Sequence, residues 1–221
     1  MKLLLATTNR GKVSELRRIL GQQPIELVGL DAGDSTEEIE TAQTFAENAL
    51  LKARHYHRQT GLPTIADDSG LEVAALGGRP GVASARYAGP GASDAERIQK
   101  LLGELKDVPA DGRAARFVCA AALVWAAGEQ VFEDEARGRI LDVPHGVGGF
   151  GYDPVFLYPP LGKTFAELSA EEKAEISHRG RAFRRLVTWL EAARVLDTPK
   201  TGDKMILPTG ESSASSRRGD V

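Results

Sequence analysis

Two adjacent carboxylates, Asp67 and Asp68, follow an apolar run in the stretch "PTIADDSGLEV" and precede Ser69 and Gly70. Carboxylate oxygens are the ligands that Mg²⁺ prefers, and a carboxylate can also accept a proton from an attacking water. The apolar run predicts a strand, whose side chains point alternately to opposite faces, so at most one of the two acids would easily face inward. We place the pair where this strand ends, held rigidly as a metal-binding and proton-accepting site. The alternative is an Asx-type turn without a catalytic role.

A second polar stretch, "TTNRGK", separates the apolar run "KLLLA" from a segment with helical spacing of its apolar residues. A loop at a helix N-terminus has backbone N–H groups without intrahelical partners, and the helix dipole favours an anion there. The Walker spacing is absent, so this is not a P-loop. Two interpretations stay open: a phosphate site, or a helix capped by Asn9 with Arg10 and Lys12 in solvent. The candidate phosphate-binding residues are Thr7, Thr8, Asn9, Arg10, Gly11 and Lys12.

The glycine-rich stretch "GVGGFGYDP" matches the dinucleotide-binding spacing G-x-G-x-x-G. That motif requires a strand before it and a helix after it, and Pro154 opposes a helix here. We therefore expect no nicotinamide cofactor. A glycine loop would instead present Phe150 and Tyr152 for stacking against a flat base, with Asp153 fixing the loop.

Basic residues gather where the last helix is expected to begin. Ser177 is a suitable N-cap, and Lys173, His178 and Arg179 lie close to it in the chain. Positive side chains at a helix N-terminus oppose the helix dipole unless an anion compensates them. We therefore favour recognition of a phosphate or a base oxygen over an exposed basic turn.

Three further acids, Glu37, Glu38 and Glu40, precede the helix predicted in "TAQTFAENALLKARHYHRQTG". Acids near a helix N-terminus are favourable without any other role. One of them would complete a metal site only if folding brings it to Asp68.

Size and composition limit the class of protein. The chain has 221 residues, of which 42% are hydrophobic and 27% charged, which suits one soluble globular domain. Its net charge of -3 offers no basic excess for nucleic acid, so we do not expect a general nucleic-acid binder. Cys119 is the only cysteine, which favours a reducing compartment, and its apolar surroundings indicate a core residue. We expect neither a secretory signal nor a membrane span, and hence a cytoplasmic protein.

Helix and strand patterns interleave along the chain, which predicts an α/β fold with a mixed β-sheet flanked by helices. The run "RFVCAAALVWAAG" predicts a central strand and "EQVFEDEARGRILDV" a longer, half-exposed partner. Capping boxes at Ser93 with Glu96 and at Ser169 with Glu172 mark two helix starts. We expect one domain over residues 1–198. Residues 199–221, rich in Gly, Pro, Ser and charge, predict a mobile tail.

Six stretches, in this order, resemble the inosine/xanthosine triphosphate pyrophosphatase family, which hydrolyses non-standard purine nucleotides. They are "ATTNRGKVSEL", "TFAENALLKA", "IADDSGLEV", "GRPGVASARYAG", "GGFGYDPVF" and "ELSAEEKAEISHRGRA". The resemblance implies an elongated, two-lobed fold, usually a homodimer, with the nucleotide in a cleft between the lobes. It implies Mg²⁺-dependent hydrolysis of ITP, dITP or XTP to the monophosphate and pyrophosphate.

The resemblance also implies residue roles, with Asp68 as catalytic proton acceptor and metal ligand. Two positions depart from the family. Thr8 stands where the family usually has glycine, and Ile39 stands where a metal-binding acid is expected, so that Glu40 or Glu38 would replace it. The implied substrate-binding residues are Thr7, Thr8, Asn9, Arg10, Gly11 and Lys12 for the triphosphate, Ser69, then Phe150, Gly151, Tyr152 and Asp153 for base and sugar, and finally Lys173, His178 and Arg179.

Two other functions remain open from the sequence. One is a Maf-like pyrophosphatase for modified pyrimidine nucleotides, which a substrate panel would separate. The other is a nucleotide-sensing module without hydrolysis. The acidic pair argues against a sensor, because carboxylates repel phosphate unless a metal ion is held between them.

Overall fold

The structure is a computed structural model that describes residues 2–21, 23–30 and 39–193. Glu37, Glu38 and the predicted tail at 199–221 lie outside the described residues. The strands are β1 (Lys2–Leu5), β2 (Glu26–Gly29), β3 (Thr64–Val73), β4 (Ala114–Trp125), β5 (Gly128–Ile140), β6 (Phe156–Tyr158) and β7 (Lys163–Thr164). The helices are α1 (Arg10–Leu20), α2 (Phe45–Thr60), α3 (Asp94–Glu104), α4 (Ala170–Ile176) and α5 (His178–Ala192).

The strands form one seven-stranded sheet in the order β2-β1-β3-β4-β5-β6-β7. Strand β1 runs parallel to β2 and β3, whereas β3 to β7 pair in antiparallel fashion. The predicted α/β class with a mixed sheet is therefore confirmed, including β4 as the central strand and β5 as its long partner. Among the described residues, no helix combines the length and the apolar character that crossing a membrane requires.

The helices begin where the polar capping residues predict. Asn9, Ser93 and Ser177 are the N-caps of α1, α3 and α5. Both predicted capping boxes are present, because the Glu96 and Glu172 side chains accept the N–H groups of Ser93 and Ser169. Such caps satisfy backbone donors that the first turn of a helix leaves free.

Alternation along the strands divides the core between the two faces of the sheet. Ile65 and Cys119 belong to a cluster with α1 and α5 on one face, which confirms Cys119 as a core residue. Ala66 and Ala120, one position later, belong to a cluster with α2 on the other face. Side chains of a strand point to opposite faces in turn, so this arrangement follows directly from the strand periodicity of two.

A third cluster continues the first face beyond the acidic pair. Leu71 of β3 packs there with Phe117, α3 and β6. On the α1–α5 face of β3, polar Asp67 and Ser69 thus lie between Ile65 in one apolar cluster and Leu71 in another. This division corresponds to the expected two lobes, and the polar residues mark their junction.

The predicted strand end at the acidic pair is wrong. Strand β3 continues through the pair to Val73, and β4 pairs with it throughout, with Asp67 opposite Ala121 and Asp68 opposite Ala120. The two acids therefore point to opposite faces, yet both are buried, at 0% and 4% exposure. Both can be buried because α1 and α5 cover one face of the sheet and α2 covers the other.

Candidate active site

The predicted site residues surround one cavity of about 430 Å³, between the start of α1, the middle of β3, the glycine loop and the start of α5. That volume lies within the usual range for small-molecule sites, about 300–1,000 Å³. The structure therefore brings together the predicted residues that it describes, except that Asp67 of the acidic pair does not line the cavity. The predicted residues that line the cavity are Thr7, Thr8, Asn9, Arg10, Gly11, Lys12, Glu40, Asp68, Ser69, Phe150, Gly151, Tyr152, Asp153, Lys173, His178 and Arg179.

In the polar loop before α1, the structure confirms the Asn9 cap and contradicts a solvent-exposed Lys12, whereas the phosphate site stays a prediction. The Asn9 side chain caps the helix, since its Oδ1 accepts the Lys12 N–H at 3.0 Å. Lys12 itself is not in solvent: its Nζ lies 3.0 Å from Oδ2 of Asp67. The loop is thus a capped helix start whose lysine points into the cavity, where the helix dipole and the ammonium group favour an anion.

Gly11 allows the glycine loop to approach the first turn of α1. A Cβ atom built on Gly11 would lie 2.6 Å from Cδ1 of Phe150 and 2.8 Å from its Cγ. Atoms that close cannot be accommodated without displacing the ring. Gly11 is therefore required by packing against Phe150, and its backbone lines the cavity as well.

Asp67 is the centre of a buried charge cluster on the α1–α5 face. Its Oδ2 accepts from Nε of Arg179 at 3.1 Å and from the Ser69 hydroxyl at 2.9 Å, and Lys12 pairs with the same oxygen. Burial alone would raise the pKa of Asp67, but Lys12 and Arg179 hold it well below its usual range. Asp67 is therefore ionised at every physiological pH and fixes the two cations beside the cavity.

The compensating anions for the basic turn are protein carboxylates, which corrects the sequence argument. Arg179 pairs with Asp67 and with Glu15 of α1, and its Nη2 donates to the Ser69 hydroxyl at 2.6 Å. Burial lowers the pKa of Arg179, yet Glu15 and Asp67 raise it overall. The cost of placing a cation at the start of α5 is thus offset within the protein, and no bound phosphate is needed to explain it.

Asp68 faces α2 in a different environment. Its Oδ2 accepts from Nδ2 of Asn48 at 3.0 Å, and its Oδ1 lies 3.8 Å from Nζ of Lys52. Burial raises the pKa of Asp68; Lys52 opposes that shift, whereas Glu40 adds to it. The pKa of Asp68 is therefore raised while that of its neighbour Asp67 is lowered. Opposite shifts of this kind allow two neighbouring acids to have different roles.

Lys52 connects Glu40 with the acidic pair. Its Nζ contacts Oε1 of Glu40 and donates to the Asp67 carbonyl at 2.7 Å. Burial lowers the pKa of Lys52, but Asp68 and Glu40 raise it overall, so the lysine is charged. Ile39, which stands where the family has a metal-binding acid, packs in the apolar cluster on this face. Glu40, the next residue, lines the cavity instead.

The carboxylate oxygens of Glu40 and Asp68 are ligands that fit Mg²⁺. Glu40 and Asp68 both line the cavity and converge on Lys52. Within residues 2–21, 23–30 and 39–193, no three His, Cys, Asp or Glu side chains gather as a metal site. Mg²⁺ is commonly bound by one or two carboxylates together with substrate phosphates, so two protein carboxylates suffice.

The opposite wall of the cavity combines an aromatic ring with cations. Lys173 Nζ lies 4.8 Å from the centre of the Phe150 ring, and the Arg179 guanidinium carbon lies 5.5 Å from it. Lys173 also pairs with Asp153, whose Oδ2 accepts the Phe150 N–H at 2.9 Å. The expected role of Asp153 in fixing the loop is thus visible in its contacts.

His178 is a neutral aromatic side chain in this site. Its ring stacks on Phe117 at 4.7 Å between centres with an interplanar angle of 8°. Burial is the main cause that lowers the pKa of His178, and Arg179 and Lys173 lower it further. Its buried Nδ1 has no hydrogen-bond partner among the described residues.

Tyr152 does not present its ring for stacking, contrary to the sequence prediction. It is 3% exposed, packs in the cluster with α3, and its hydroxyl donates to the Ser84 carbonyl at 2.9 Å. Tyr152 therefore anchors the glycine loop to the core. Phe150 is the half-buried aromatic residue of this loop that faces the cavity.

Comparison with known proteins assigns the chain to a family. Residues 3–189 match the model of the Ham1 family. The chain belongs to the Ham1 family. The match begins at the second residue of β1 and ends three residues before the end of α5, so the resemblance drawn from the six sequence motifs is confirmed.

Relatives of this Ham1-family chain cover most of its length. The dITP/XTP pyrophosphatase of Syntrophobacter fumaroxidans is 50% identical over 199 residues, which is 86% of this chain and 85% of the relative. That of Mycolicibacterium paratuberculosis is 54% identical over 194 residues, or 86% and 95% of the two chains. The solved Staphylococcus aureus Ham1 protein superposes with a TM-score of 0.77 at 40% identity, covering 87% of this chain and 99% of that one.

Sequence reasoning missed several residues around this candidate site of the Ham1-family chain, among them Asn48, Lys52 and Glu15. Asn48 and Lys52 of α2 lie on the same buried helix face as Ala49 and Ala53. Buried polar residues on an otherwise apolar face require partners, and that pattern would have indicated them. Glu15 of α1 gave no such signal, because its position in an amphipathic helix is equally typical of an acid that faces solvent.

Proposed function

We propose that this chain hydrolyses non-standard purine nucleoside triphosphates, namely ITP, dITP and XTP, to the monophosphate and pyrophosphate with Mg²⁺. The observation that carries the proposal is one cavity lined by three features. They are the polar loop that leads into α1 (residues 7–12, the α1 loop), Asp68, and Phe150 with the cations beside it (the Phe150 wall). The relatives named dITP/XTP pyrophosphatases support the same reaction and substrate class. The activity is that of a hydrolase acting on an acid anhydride.

Asp68 acts on the attacking water. The water oxygen bonds to the α-phosphorus, the bond from that phosphorus to the bridging oxygen of the β-phosphate breaks, and pyrophosphate leaves with the bond electrons. Asp68 accepts the proton of the water, since an ionised carboxylate can act as a general base. Bound Mg²⁺, held by Asp68 and Glu40, would neutralise phosphate charge and polarise the phosphoryl oxygens.

The α1 loop binds the leaving group. Lys12 Nζ, the N–H groups of the first helix turn and the Thr7 and Thr8 hydroxyls are donors on that side of the cavity. Asp67 fixes Lys12 from behind, at 3.0 Å. Pre-positioned donors stabilise the developing charge on pyrophosphate without reorganising during the reaction, which is the main way in which enzymes accelerate phosphoryl transfer.

Recognition of the base rests on fixed cations beside Phe150. Each nitrogen of Arg179 donates to Asp67, Glu15 or Ser69. A guanidinium has five N–H groups, so about two remain for a ligand, in an orientation that the protein sets. A 6-keto oxygen accepts from such a donor, whereas the 6-amino group of ATP leaves it unpaired.

We expect the kcat/KM for ITP to exceed that for ATP by about 10⁴-fold, because an unpaired buried donor is costly. Pyrophosphate release would be measured for ITP, dITP, XTP, GTP and ATP with Mg²⁺, and for ITP with EDTA. EDTA is expected to abolish release.

Equal rates for ITP and ATP would contradict this recognition, and release in EDTA would contradict the metal requirement. Faster turnover of modified pyrimidine triphosphates would favour the Maf-like alternative, and binding without release would favour a sensor.

Replacing Gly11 by alanine is expected to raise the KM for ITP by about tenfold, or roughly 1.4 kcal/mol, because overpacking displaces Phe150 from its place beside the base. Overpacking also costs about 1–3 kcal/mol of stability, so the midpoint of urea unfolding should fall as well. Gly103→Ala is the matched control, since an added Cβ there meets no atom within 4 Å. An unchanged KM in Gly11→Ala would show that Phe150 does not contact the base.

We also propose that the chain forms a homodimer in the cytoplasm. The dimer is implied by the family resemblance. The compartment is supported by the lone cysteine, a free and buried thiol, since disulfides are rare in reducing compartments. Light scattering coupled to gel filtration tests the dimer directly, and a monomeric mass at micromolar concentration would contradict it.

A further inference from the structure

Asp94, the first residue of α3, holds the glycine loop in place. Its Oδ2 accepts the Gly151 N–H at 2.7 Å, across 57 residues of chain. Gly151 follows Phe150 directly, and both Asp94 and Gly151 line the cavity. The sequence gives no sign of this role, because an acid in the first turn of a helix is favourable without any other function.

Arg97 orients that carboxylate. Its Nη2 pairs with the other oxygen of Asp94, and its Nη1 donates to the Ala85 carbonyl at 2.7 Å and to the Ala92 carbonyl at 2.6 Å. The guanidinium is thereby fixed between two loop carbonyls, and Asp94 has one direction in which to accept the Gly151 N–H. Arg97 itself lines the cavity.

Two carboxylates therefore hold two successive N–H groups of the loop. Asp153 accepts from Phe150 and Asp94 accepts from Gly151. The backbone of Phe150 therefore has little freedom to rotate, because its own N–H and the N–H of the next residue are both hydrogen-bonded. Gly151 has a φ of +63°, which a glycine adopts readily, so the loop depends on these bonds for its shape.

We propose that Asp94, oriented by Arg97, is a positioning residue that sets the Phe150 ring against the purine base. The proposal rests on the proposed function, because it assigns the base to the Phe150 wall. Asp94 does not take part in the chemical step. It acts through the loop, so its effect falls on substrate binding and leaves Asp68 and the α1 loop unchanged.

The core does not depend on this hydrogen bond. Ile98, Leu101 and Leu105 of this helix region pack with Tyr152 and Val155 in one apolar cluster. Removing the Asp94 carboxylate leaves that packing intact. The loop is then free to move only where it faces the cavity, which is the part that contacts substrate.

Asp94→Ala is expected to raise the KM for ITP by about tenfold with kcat within about threefold of the wild type, since the loss is one of substrate positioning. Asp94→Asn keeps an acceptor for Gly151 and should lie within about threefold of the wild-type KM. Inhibition by inorganic triphosphate, which needs only the α1 loop, should be unchanged in both variants.

Glu96→Ala is the matched control, because it removes the capping-box acid of the same helix turn and does not contact the glycine loop. It should lower the unfolding midpoint and keep the wild-type KM. An equal rise in KM in Glu96→Ala, or no rise in Asp94→Ala, would overturn the proposal. Should Asp94→Ala fail to fold, Arg97→Gln must show the rise in KM instead.

Amide hydrogen exchange tests the same bond without substrate. The Gly151 amide should be protected in the wild type and in Asp94→Asn, and should lose protection in Asp94→Ala. An unprotected Gly151 amide in the wild type would overturn the proposal. A wild-type protein that protects this amide but hydrolyses no purine triphosphate would instead overturn the proposed function.

Discussion

Replacing Asp68 by asparagine is expected to lower kcat by about 10³-fold, because a positioned general base contributes about 10²–10⁴. Asparagine has nearly the same shape, but it cannot accept the proton of the attacking water and offers Mg²⁺ no negative charge. Binding of ITP should survive, since Lys12, Phe150 and Arg179 are untouched. Single-turnover release of pyrophosphate measures the chemical step, and calorimetric titration with ITP measures binding. Full activity in this variant would remove Asp68 from the reaction.

The pH profile provides an independent check on Asp68. Its pKa is raised from 3.8 chiefly by burial, and the ionised form is the active one. In the metal-free protein the Asp68 carboxyl should therefore titrate at a higher pH than an ordinary aspartate, which carbon NMR measures, and Asp68→Asn should lack this titration. A raised pKa in the folded protein also means that ionised Asp68 destabilises the fold as the pH rises. The asparagine variant should therefore be at least as stable as the wild type at pH about 7.

Replacing Asp67 by alanine is expected to lower the free energy of unfolding by about 3–5 kcal/mol, because it leaves buried Arg179 and half-buried Lys12 without their shared counter-ion. The exposed pair of Glu26 with Lys2, 3.4 Å apart, is the matched control. Glu26→Ala should change the stability by no more than about 1 kcal/mol. Urea unfolding followed by tryptophan fluorescence measures both. Equal stability losses in the two variants would show that Asp67 is no more than a surface charge.

The stabilising effect of Asp67 should disappear in acid. Its folded-state pKa lies below the value of about 3.9 for an unfolded aspartate, so its contribution is present above that pH and declines as the pH falls below it. The stability difference between wild type and Asp67→Ala should accordingly be constant between about pH 6 and 8 and shrink below pH about 4. A constant difference down to pH about 3 would contradict the lowered pKa.

Local chemistry in the sequence was sufficient for most of the elements. Asn9, Ser93 and Ser177 predicted three helix starts, because a capping side chain acts on its own first turn. The apolar run around Cys119 predicted a central strand, which β4 is. Interactions within a few residues decide such features, so they are readable without the fold. The extent of β3 was not readable, because pairing with β4 overrides the turn tendency of the residues after Asp68.

The sequence by itself determined the family, the alternation of strands and helices, and the residue types around the cavity. Only the tertiary structure decided how those charges are paired. Neighbours Asp67 and Asp68 point to opposite faces, so one meets Arg179 from α5, 112 residues away, and the other meets Lys52 from α2. Charge pairing depends on distances between segments remote in the chain, and a buried carboxylate changes its pKa according to the partner it meets.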